Sequence, residues 1–252
     1  MITAMNDVET VDALAIGAHP DDAEMGAGGT LLRLGALGYR TGILDMTRGE
    51  MGTRGTAEVR AEEAREAART LGLAFRDTVD LGDGFVRDTE EARHALVRVF
   101  RRLRPKLVFT HYWEEPHPDH VATSQLVRHV SYLSGLAKYD ADSGLERHRP
   151  YAVAHFNLPR WVPPTFIVDI SEWAAKKEAA LRCHRSQLHD PERADEPQTA
   201  LTGSDFLERL RSRGHYYGTL IRAELGEPFL VREALNVADP VALLARPMDL
   251  FY

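Results

Sequence analysis

Residues 13–22 read ALAIGAHPDD, a short apolar run followed directly by a histidine, a proline and two aspartates. The run at 13–17 predicts a buried strand, so the polar residues follow at its carboxyl end. Ligands of parallel α/β sheets bind beyond the carboxyl ends of the strands, and this stretch therefore indicates a fold class and a site together. The alternative is a capped turn, because aspartate is a favoured residue at helix N-termini.

Around this stretch the chain alternates between strand-like and helix-like segments. Strands are predicted at 13–17, 41–46, 75–81 and 107–110. Helices are predicted from Thr30 to Gly38, over 57–71 and over 90–103. This rhythm predicts an α/β fold with a mostly parallel sheet flanked by helices.

The last third of the chain is less regular. Two further strands are predicted at 152–156 and 166–170, then a helix at 171–186, a long loop at 189–203 and a final helix at 206–225. No linker divides the chain, so a single domain over 1–252 is expected, with residues 1–11 flexible.

Composition narrows the class of protein. The chain has 252 residues, of which 44% are hydrophobic and 27% charged, as in ordinary globular proteins. With 31 Lys and Arg against 38 Asp and Glu, the net charge is −7, which argues against nucleic acid or an anionic membrane as the main partner. One cysteine, Cys183, excludes an intrachain disulfide. The polar first residues do not resemble a signal peptide, and a cytoplasmic protein is expected.

A second polar motif, His117-Pro118-Asp119-His120, lies just beyond the fourth predicted strand. Two strand ends can meet across the crevice of such a sheet, which would bring three histidines and three aspartates together. Nitrogen and oxygen donors suit zinc, and also iron, manganese or cobalt. A bound metal lowers the pKa of water towards about 7, which is hydrolytic chemistry. The alternative is a surface loop with histidines placed by chance.

Competing enzyme signatures are missing from the sequence. There is no His-Glu-x-x-His motif, no Gly-x-Ser-x-Gly elbow, and too few cysteines for a zinc deaminase. Leu31 stands where a dinucleotide-binding loop would need its third glycine. The glycines at 26–29 are better explained by close packing of a helix start against the strand-end motif.

The two motifs together resemble the LmbE/PIG-L family of zinc-dependent N-acetylglucosaminide deacetylases. The resemblance spans roughly residues 12–230 and rests on 17–24 and 117–120. Residues 45–56, with 58–60, 109–112, 168–171 and 186–187, are similar to the bacillithiol-biosynthesis branch, which deacetylates N-acetylglucosaminyl-malate. The resemblance implies a Rossmann-like single domain, one Zn²⁺ per chain (Fe²⁺ or another divalent metal being the alternative), and a homo-oligomer such as a hexamer.

The resemblance also implies roles for individual residues. The metal ligands would be His19, Asp22 and His120. Asp21 would be the general base and His117 the electrophilic histidine, which also follows from the need to take a proton from water and to stabilise an oxyanion. We expect His117 to be protonated, because a neighbouring carboxylate raises the pKa of the histidine it pairs with.

For two further residues the sequence allows either a functional role or a structural one. Asp119 would orient His117, or else cap a helix. Arg60 would contact an acidic substrate, or else be a solvated arginine near Glu63.

Asp83 would bind the sugar. Leu225 stands near the position where many relatives have a tyrosine, a role that Tyr216 or Tyr217 would have to fill. Five other histidines are interpreted as ordinary polar or core residues: His111, His155, His184, His189 and His215.

The resulting hypothesis is a metal-dependent hydrolysis of the N-acetyl group of N-acetylglucosaminyl-malate, releasing acetate. The same chemistry on another N-acetylglucosaminide (an inositol, chitobiose or natural-product glycoside) is one alternative. A non-catalytic, metal-containing sugar binder is the other.

Overall fold

A seven-stranded mixed sheet forms the centre of the protein. The computed structural model describes residues 10–193 and 195–244. The strands are β1 Ala13–Gly17, β2 Thr41–Asp45, β3 Phe75–Thr78, β4 Leu107–His111, β5 Ala152–Phe156, β6 Phe166–Asp169 and β7 Gly226–Val231. Their order is β3-β2-β1-β4-β5-β7-β6. The first five strands are parallel, and β7 is antiparallel to both of its neighbours.

Helices cover both faces of the sheet, as predicted for an α/β fold. They are α1 Asp22–Ala36, α2 Ala57–Leu71, α3 Glu90–Leu103, α4 Pro118–Leu133, α5 Ala174–Arg182, α6 Phe206–Thr219 and α7 Pro240–Leu244. Short 3₁₀ turns lie at Ala141–Ser143, Ser171–Trp173 and Pro191–Arg193.

The strand order places a crevice between β1 and β4. From β1 the chain moves outward through β2 to β3, and it then returns to β4 on the other side of β1. The carboxyl ends of β1 and β4 are therefore neighbours at the point where the direction of winding reverses, which is where open α/β sheets bind ligands. Both polar motifs follow these two strands.

Strand β1 is buried on both faces, and its alternating residue sizes fit two different layers. Leu14 and Ile16 point into the larger apolar core, which α3 and α4 cover. Ala13 and Ala15 face α1, whose alanines Ala23 and Ala27 are also buried. Small residues on both sides let α1 lie close to the sheet.

Helix α1 begins at Asp22, eight residues before the predicted start at Thr30. The glycines of residues 26–29 disfavour a helix locally, but the packing requires them. A Cβ on Gly26 would lie 2.4 Å from the ring of Phe156. Tertiary contact with β5 thus overrides local helix propensity.

The predictions for α2 and α3 are confirmed at both ends, because both helices carry local capping signals. The hydroxyls of Thr56 and Thr89 accept hydrogen bonds from Val59 N and Ala92 N at the two N-termini. Gly72 ends α2 in the left-handed conformation.

The helix predicted over 206–225 is confirmed only as far as Thr219, and the strand that follows it was not predicted. Helix α6 ends at Thr219, and residues 226–231 form β7, which inserts between β5 and β6. The sequence does not indicate this strand, because it contains Glu227 and Pro228, and both residue types are rare in strands. The helix predicted over 171–186 is a 3₁₀ turn followed by the shorter α5.

Most of the segment expected to be flexible, residues 1–9, lies outside the described residues. Val11 within it is 2% exposed and belongs to the larger core. Its N–H donates to Leu103 O at 2.8 Å, which ties the entry into β1 to the end of α3.

Candidate active site

The turn after β1 presents two buried carboxylates side by side. Asp21 adopts φ 120°, a strained backbone for a residue with a side chain, and its carboxylate does not cap α1. The Asp22 carboxylate accepts a hydrogen bond from His19 N at 2.8 Å. Strain at a strand end is typical of functional sites.

Three residues from the two motifs converge here as the sequence predicted. Donor atoms of His19, Asp22 and His120 lie within 4.8 Å of one another. His19 Nδ1 is 3.3 Å from Asp22 Oδ2, and His120 Nε2 is 3.4 Å from Asp22 Oδ1. Two imidazoles and a carboxylate form a donor set that suits a divalent metal with an open coordination position.

The charges around this group favour a cation. Burial opposes protonation of His19, yet its hydrogen bonds with Asp22 and Asp83 raise its pKa to about 11. Burial would raise the pKa of Asp22, but the positive charges of His120 and His111 hold it well below its usual range. Carboxylates that attract a proton to this place also attract a metal cation, so the residues fit a metal.

Asp21 lies beside this group and contacts Arg60. Burial raises the pKa of Asp21 to about 6; the positive charge of Arg60 opposes the shift, and the charge of Asp22 adds to it. A carboxylate with such a pKa is suited to accept a proton near neutral pH.

Arg60 is 4% exposed, so the alternative of a solvated arginine is wrong. Its guanidinium donates to Pro20 O at 2.7 Å, Gly49 O at 3.0 Å and Asp21 Oδ2 at 3.3 Å. A Cβ on Gly49 would lie 2.0 Å from the Arg60 Nη1 atom, so glycine leaves the space that Arg60 occupies. The structure therefore brings Arg60 to the predicted base, and its role towards substrate stays a prediction.

His117 is the N-cap of α4, where its Nδ1 accepts a hydrogen bond from Asp119 N at 3.2 Å. The alternative in which Asp119 caps the helix is wrong. Burial, together with the positive charges of His19 and His120, lowers the pKa of His117. Asp119 raises the pKa of His117 only as a smaller, opposing contribution, so the expectation that His117 is kept protonated is wrong.

The carboxylate of Asp119 joins the site to the loop after β3. It accepts hydrogen bonds from Gly84 N at 2.7 Å and Val86 N at 3.3 Å, and it lies 3.4 Å from His19 Nε2. Asp83 also contacts His19, with 3.0 Å between Oδ1 and Nε2. Both predicted carboxylates thus reach the site through His19.

Sequence reasoning missed two residues of the site. His111 ends β4 fully buried, with Nε2 3.2 Å from Asp22 Oδ2. Glu115 lies within hydrogen-bonding distance of both His111 and His120. The signal was a histidine at the end of β4, since the same argument had singled out His19 after β1.

A further buried histidine, His184, also proves more than an ordinary core residue. Its Nε2 lies 2.8 Å from Glu24 Oε1, and Glu24 in turn pairs with Arg76. Arg76 also bonds Asp45, with 3.0 Å from Nε to Oδ2. Through Glu24, this buried charged network connects the first turn of α1 to β2, β3 and the segment after α5.

A cleft of about 1050 Å³ opens beside Glu115. Both tyrosines considered in place of Leu225 line it, Tyr216 56% exposed and Tyr217 buried under the guanidinium of Arg213. Leu225 itself is 4% exposed and packs beneath α6 near Gly214. Asn157, which follows β5 with φ 56°, lines the same cleft.

Comparison with known proteins agrees with this geometry. The model of the PIG-L family, which is described as GlcNAc-PI de-N-acetylase, matches residues 14–131, and these include both polar motifs. The diacetylchitobiose deacetylase of Thermococcus kodakarensis is 33% identical over 231 residues, covering 86% of this chain and 84% of the relative. The chain belongs to the PIG-L family.

Two further proteins show the range of the similarity. The conserved protein TT1542 from Thermus thermophilus, which has a crystal structure, is 38% identical in sequence. The match covers 90% of this chain and 98% of the TT1542 chain, with a TM-score of 0.79. The 4-oxalmesaconate hydratase of Pseudomonas putida is 27% identical, covering 70% of this chain and 74% of the relative.

Among the described residues, no helix is long and apolar enough to cross a membrane.

Proposed function

We propose that this chain is a zinc-dependent N-deacetylase that hydrolyses the N-acetyl group of an N-acetylglucosaminide and releases acetate. The observation that carries the proposal is the convergence of His19, Asp22 and His120 beside the buried carboxylate of Asp21. The deacetylase activity of the Thermococcus relative supports it.

The reaction must overcome a poor electrophile and a poor leaving group. A divalent metal held by His19, Asp22 and His120 would polarise the amide carbonyl and make water more acidic. Asp21 accepts the proton from the attacking water, and Arg60, 3.3 Å away, holds its carboxylate in place. His117 is exposed at the start of α4, where its imidazole can donate a hydrogen bond to the developing oxyanion. Asp21, which has taken the proton of the water, can then pass that proton to the departing amine.

Within this substrate class we propose N-acetylglucosaminyl-malate, on the resemblance of residues 45–56 and 58–60 to the bacillithiol branch. Diacetylchitobiose is the second candidate, favoured by the 33% identical relative. We also propose a homo-oligomer, which light scattering on the purified protein measures directly.

The decisive experiment is acetate release from a panel of N-acetylglucosaminides carrying malate, inositol or a second sugar. The purified chain is assayed after chelation and again after one equivalent of Zn²⁺ is restored. We expect activity to vanish with chelation and to return with zinc. Zinc-loaded protein that binds these sugars but releases no acetate would identify a sugar binder instead.

The hydratase relative in Pseudomonas putida gives a second candidate function, because addition of water to an unsaturated acid can use the same kind of base. A chain that hydrates 4-oxalmesaconate and leaves every N-acetylglucosaminide intact would replace the deacetylase proposal.

A further inference from the structure

Glu115 occupies an unusual place between two histidines of the site. It lies in the segment that joins β4 to α4, and its side chain is 10% exposed. His111 comes from the end of β4, and His120 comes from the first turn of α4. The two rings stack at 3.9 Å between centroids, with 23° between their planes.

The carboxylate of Glu115 bridges the two stacked rings with one oxygen each. Its Oε1 is 3.0 Å from His111 Nδ1, and its Oε2 is 2.8 Å from His120 Nδ1. A carboxylate of this kind accepts two hydrogen bonds in parallel and fixes the separation of the donors.

The direction of these hydrogen bonds follows from their neighbours. The ionised carboxylate of Glu115 only accepts, so His111 Nδ1 carries a hydrogen, and His111 Nε2 faces Ala18 N at 3.0 Å and Asp22 Oδ2 at 3.2 Å. For the same reason, His120 Nδ1 must carry a hydrogen as well. His120 Nε2 then presents its lone pair on the side of Asp22, where the distance to Oδ1 is 3.4 Å.

We propose that Glu115 is a positioning residue that holds His120 in the Nδ1–H tautomer, with Nε2 directed at the metal site. The proposal rests on the metal-dependent function proposed above. A ligating histidine whose other nitrogen donates to a carboxylate is fixed in orientation and becomes a more basic ligand. Through His111, the same carboxylate also ties this ligand to the backbone of the turn after β1.

Replacement of Glu115 by glutamine tests the role with almost no change of shape. An amide has one accepting oxygen and one donating NH₂ group, so it can serve only one of the two rings. The other ring must then accept at Nδ1, which moves its hydrogen to Nε2. If the affected ring is His120, the hydrogen on Nε2 would block metal binding. If it is His111, the hydrogen on Nε2 would face the N–H of Ala18.

The first measurement is the dissociation constant for Zn²⁺, obtained by competition with a chelator. We expect Glu115→Gln to weaken zinc binding by about 10–100-fold. The matched control is Glu114→Gln, which removes the same charge from the preceding, exposed residue. Equal zinc affinity in wild type and Glu115→Gln would overturn the proposal.

The second measurement needs no variant. Long-range ¹H–¹⁵N spectra of the zinc-loaded wild type report which ring nitrogen of each histidine carries its hydrogen. We expect the Nδ1–H form for His111 and His120, and an Nε2–H form of His120 would overturn the proposal even if Glu115→Gln failed to fold. In Co²⁺-substituted protein, the visible spectrum should change in Glu115→Gln and stay unchanged in Glu114→Gln.

These outcomes separate the two proposals. Wild-type protein that binds no metal would end the metal-dependent function, and the role of Glu115 with it. Wild-type protein that binds zinc and releases acetate, with an equally zinc-loaded Glu115→Gln variant, would end the role of Glu115 alone.

Discussion

Asp21 combines a strained backbone with burial, and both cost free energy. The guanidinium of Arg60, 3.3 Å away, offsets part of the cost of burial. Its neighbour Asp22 forms the hydrogen bond that shapes the turn. The two carboxylates are adjacent in sequence but point to different partners. The proposed roles of metal ligand and general base therefore fall on two adjacent residues with different surroundings.

We expect Asp21→Asn to keep its fold and its zinc but to lose about 10²–10⁴-fold in kcat, because an amide cannot accept the proton of water. Acetate release at saturating substrate and metal content by atomic absorption provide the check. Near-normal turnover by a zinc-loaded variant would place the base elsewhere.

His120 and His117 lie three residues apart and form a matched pair for the metal assignment. We expect His120→Ala to lose stoichiometric zinc, since it removes one of three donors. His117→Ala should keep zinc and lower kcat more than it raises KM, because its ring is proposed to act on the reacting groups. Loss of zinc from His117→Ala, or full retention of zinc by His120→Ala, would contradict the assignment of His120 as the metal ligand and His117 as the residue that acts on substrate.

At the scale of elements, the side chains that follow a strand are oriented by the helix that comes next in the chain. Pro118 at the first position of α4 and the His117 cap fix this helix start, and Asp119 then ties it to the loop after β3. On the opposite side of the sheet from α1, the buried carboxylate of Asp140 connects α3 to the segment after α4.

Asp140 gives this second connection a pH dependence. A hydrogen bond from Arg98, with a further contribution from His94, holds the pKa of Asp140 below its usual value. A pKa depressed in the folded state stabilises the protein above the unfolded value of about 3.9, and the stabilisation is lost as the pH falls through the folded value.

We therefore expect Asp140→Asn to lower the free energy of unfolding by about 1–3 kcal/mol at pH 7, a difference that shrinks below about pH 4. Asparagine tolerates the left-handed backbone at this position, where φ is 50°, so the substitution adds no backbone strain to the comparison. Urea unfolding at pH 7, 5, 4 and 3 measures it, with the exposed neighbour changed in Asp142→Asn as control. A constant difference across this range would contradict the ionic origin.

At the scale of the whole molecule, β7 joins the last part of the chain to the first helix. Its Glu227 is 3% exposed and accepts hydrogen bonds from Gly29 N at 2.9 Å and Thr30 N at 2.7 Å. Lys177 of α5 donates to the same carboxylate at 2.6 Å and to Met25 O at 2.8 Å. One buried ion pair therefore connects α1, α5 and β7.

We expect Glu227→Ala to lower the free energy of unfolding by about 3–5 kcal/mol, because it leaves the ammonium of Lys177 buried without its counter-charge. Lys177→Ala with Glu227→Ala should cost less than the sum of the single changes. Chemical denaturation of the two single variants and the double variant measures this coupling, and strictly additive costs would show that the pair does not act as a unit.

The sequence by itself determined the features that depend on nearby residues. The caps and periodicity of α2 and α3, the parallel α/β class and the polar motifs after β1 and β4 are all local patterns, and a resemblance carried by the same motifs indicated the family.

Tertiary structure alone decided features whose physical causes lie far apart along the chain. Close packing of Phe156 explains the glycine at position 26 inside α1, and pairing with β5 and β6 makes a strand of a segment with Glu227 and Pro228. Arg60 turns inward because Gly49 leaves room for it, and Glu115 bridges two rings only because β4 and α4 bring them together. Burial and charge from distant segments set the direction of each pKa shift, and no local pattern in the sequence encodes that environment.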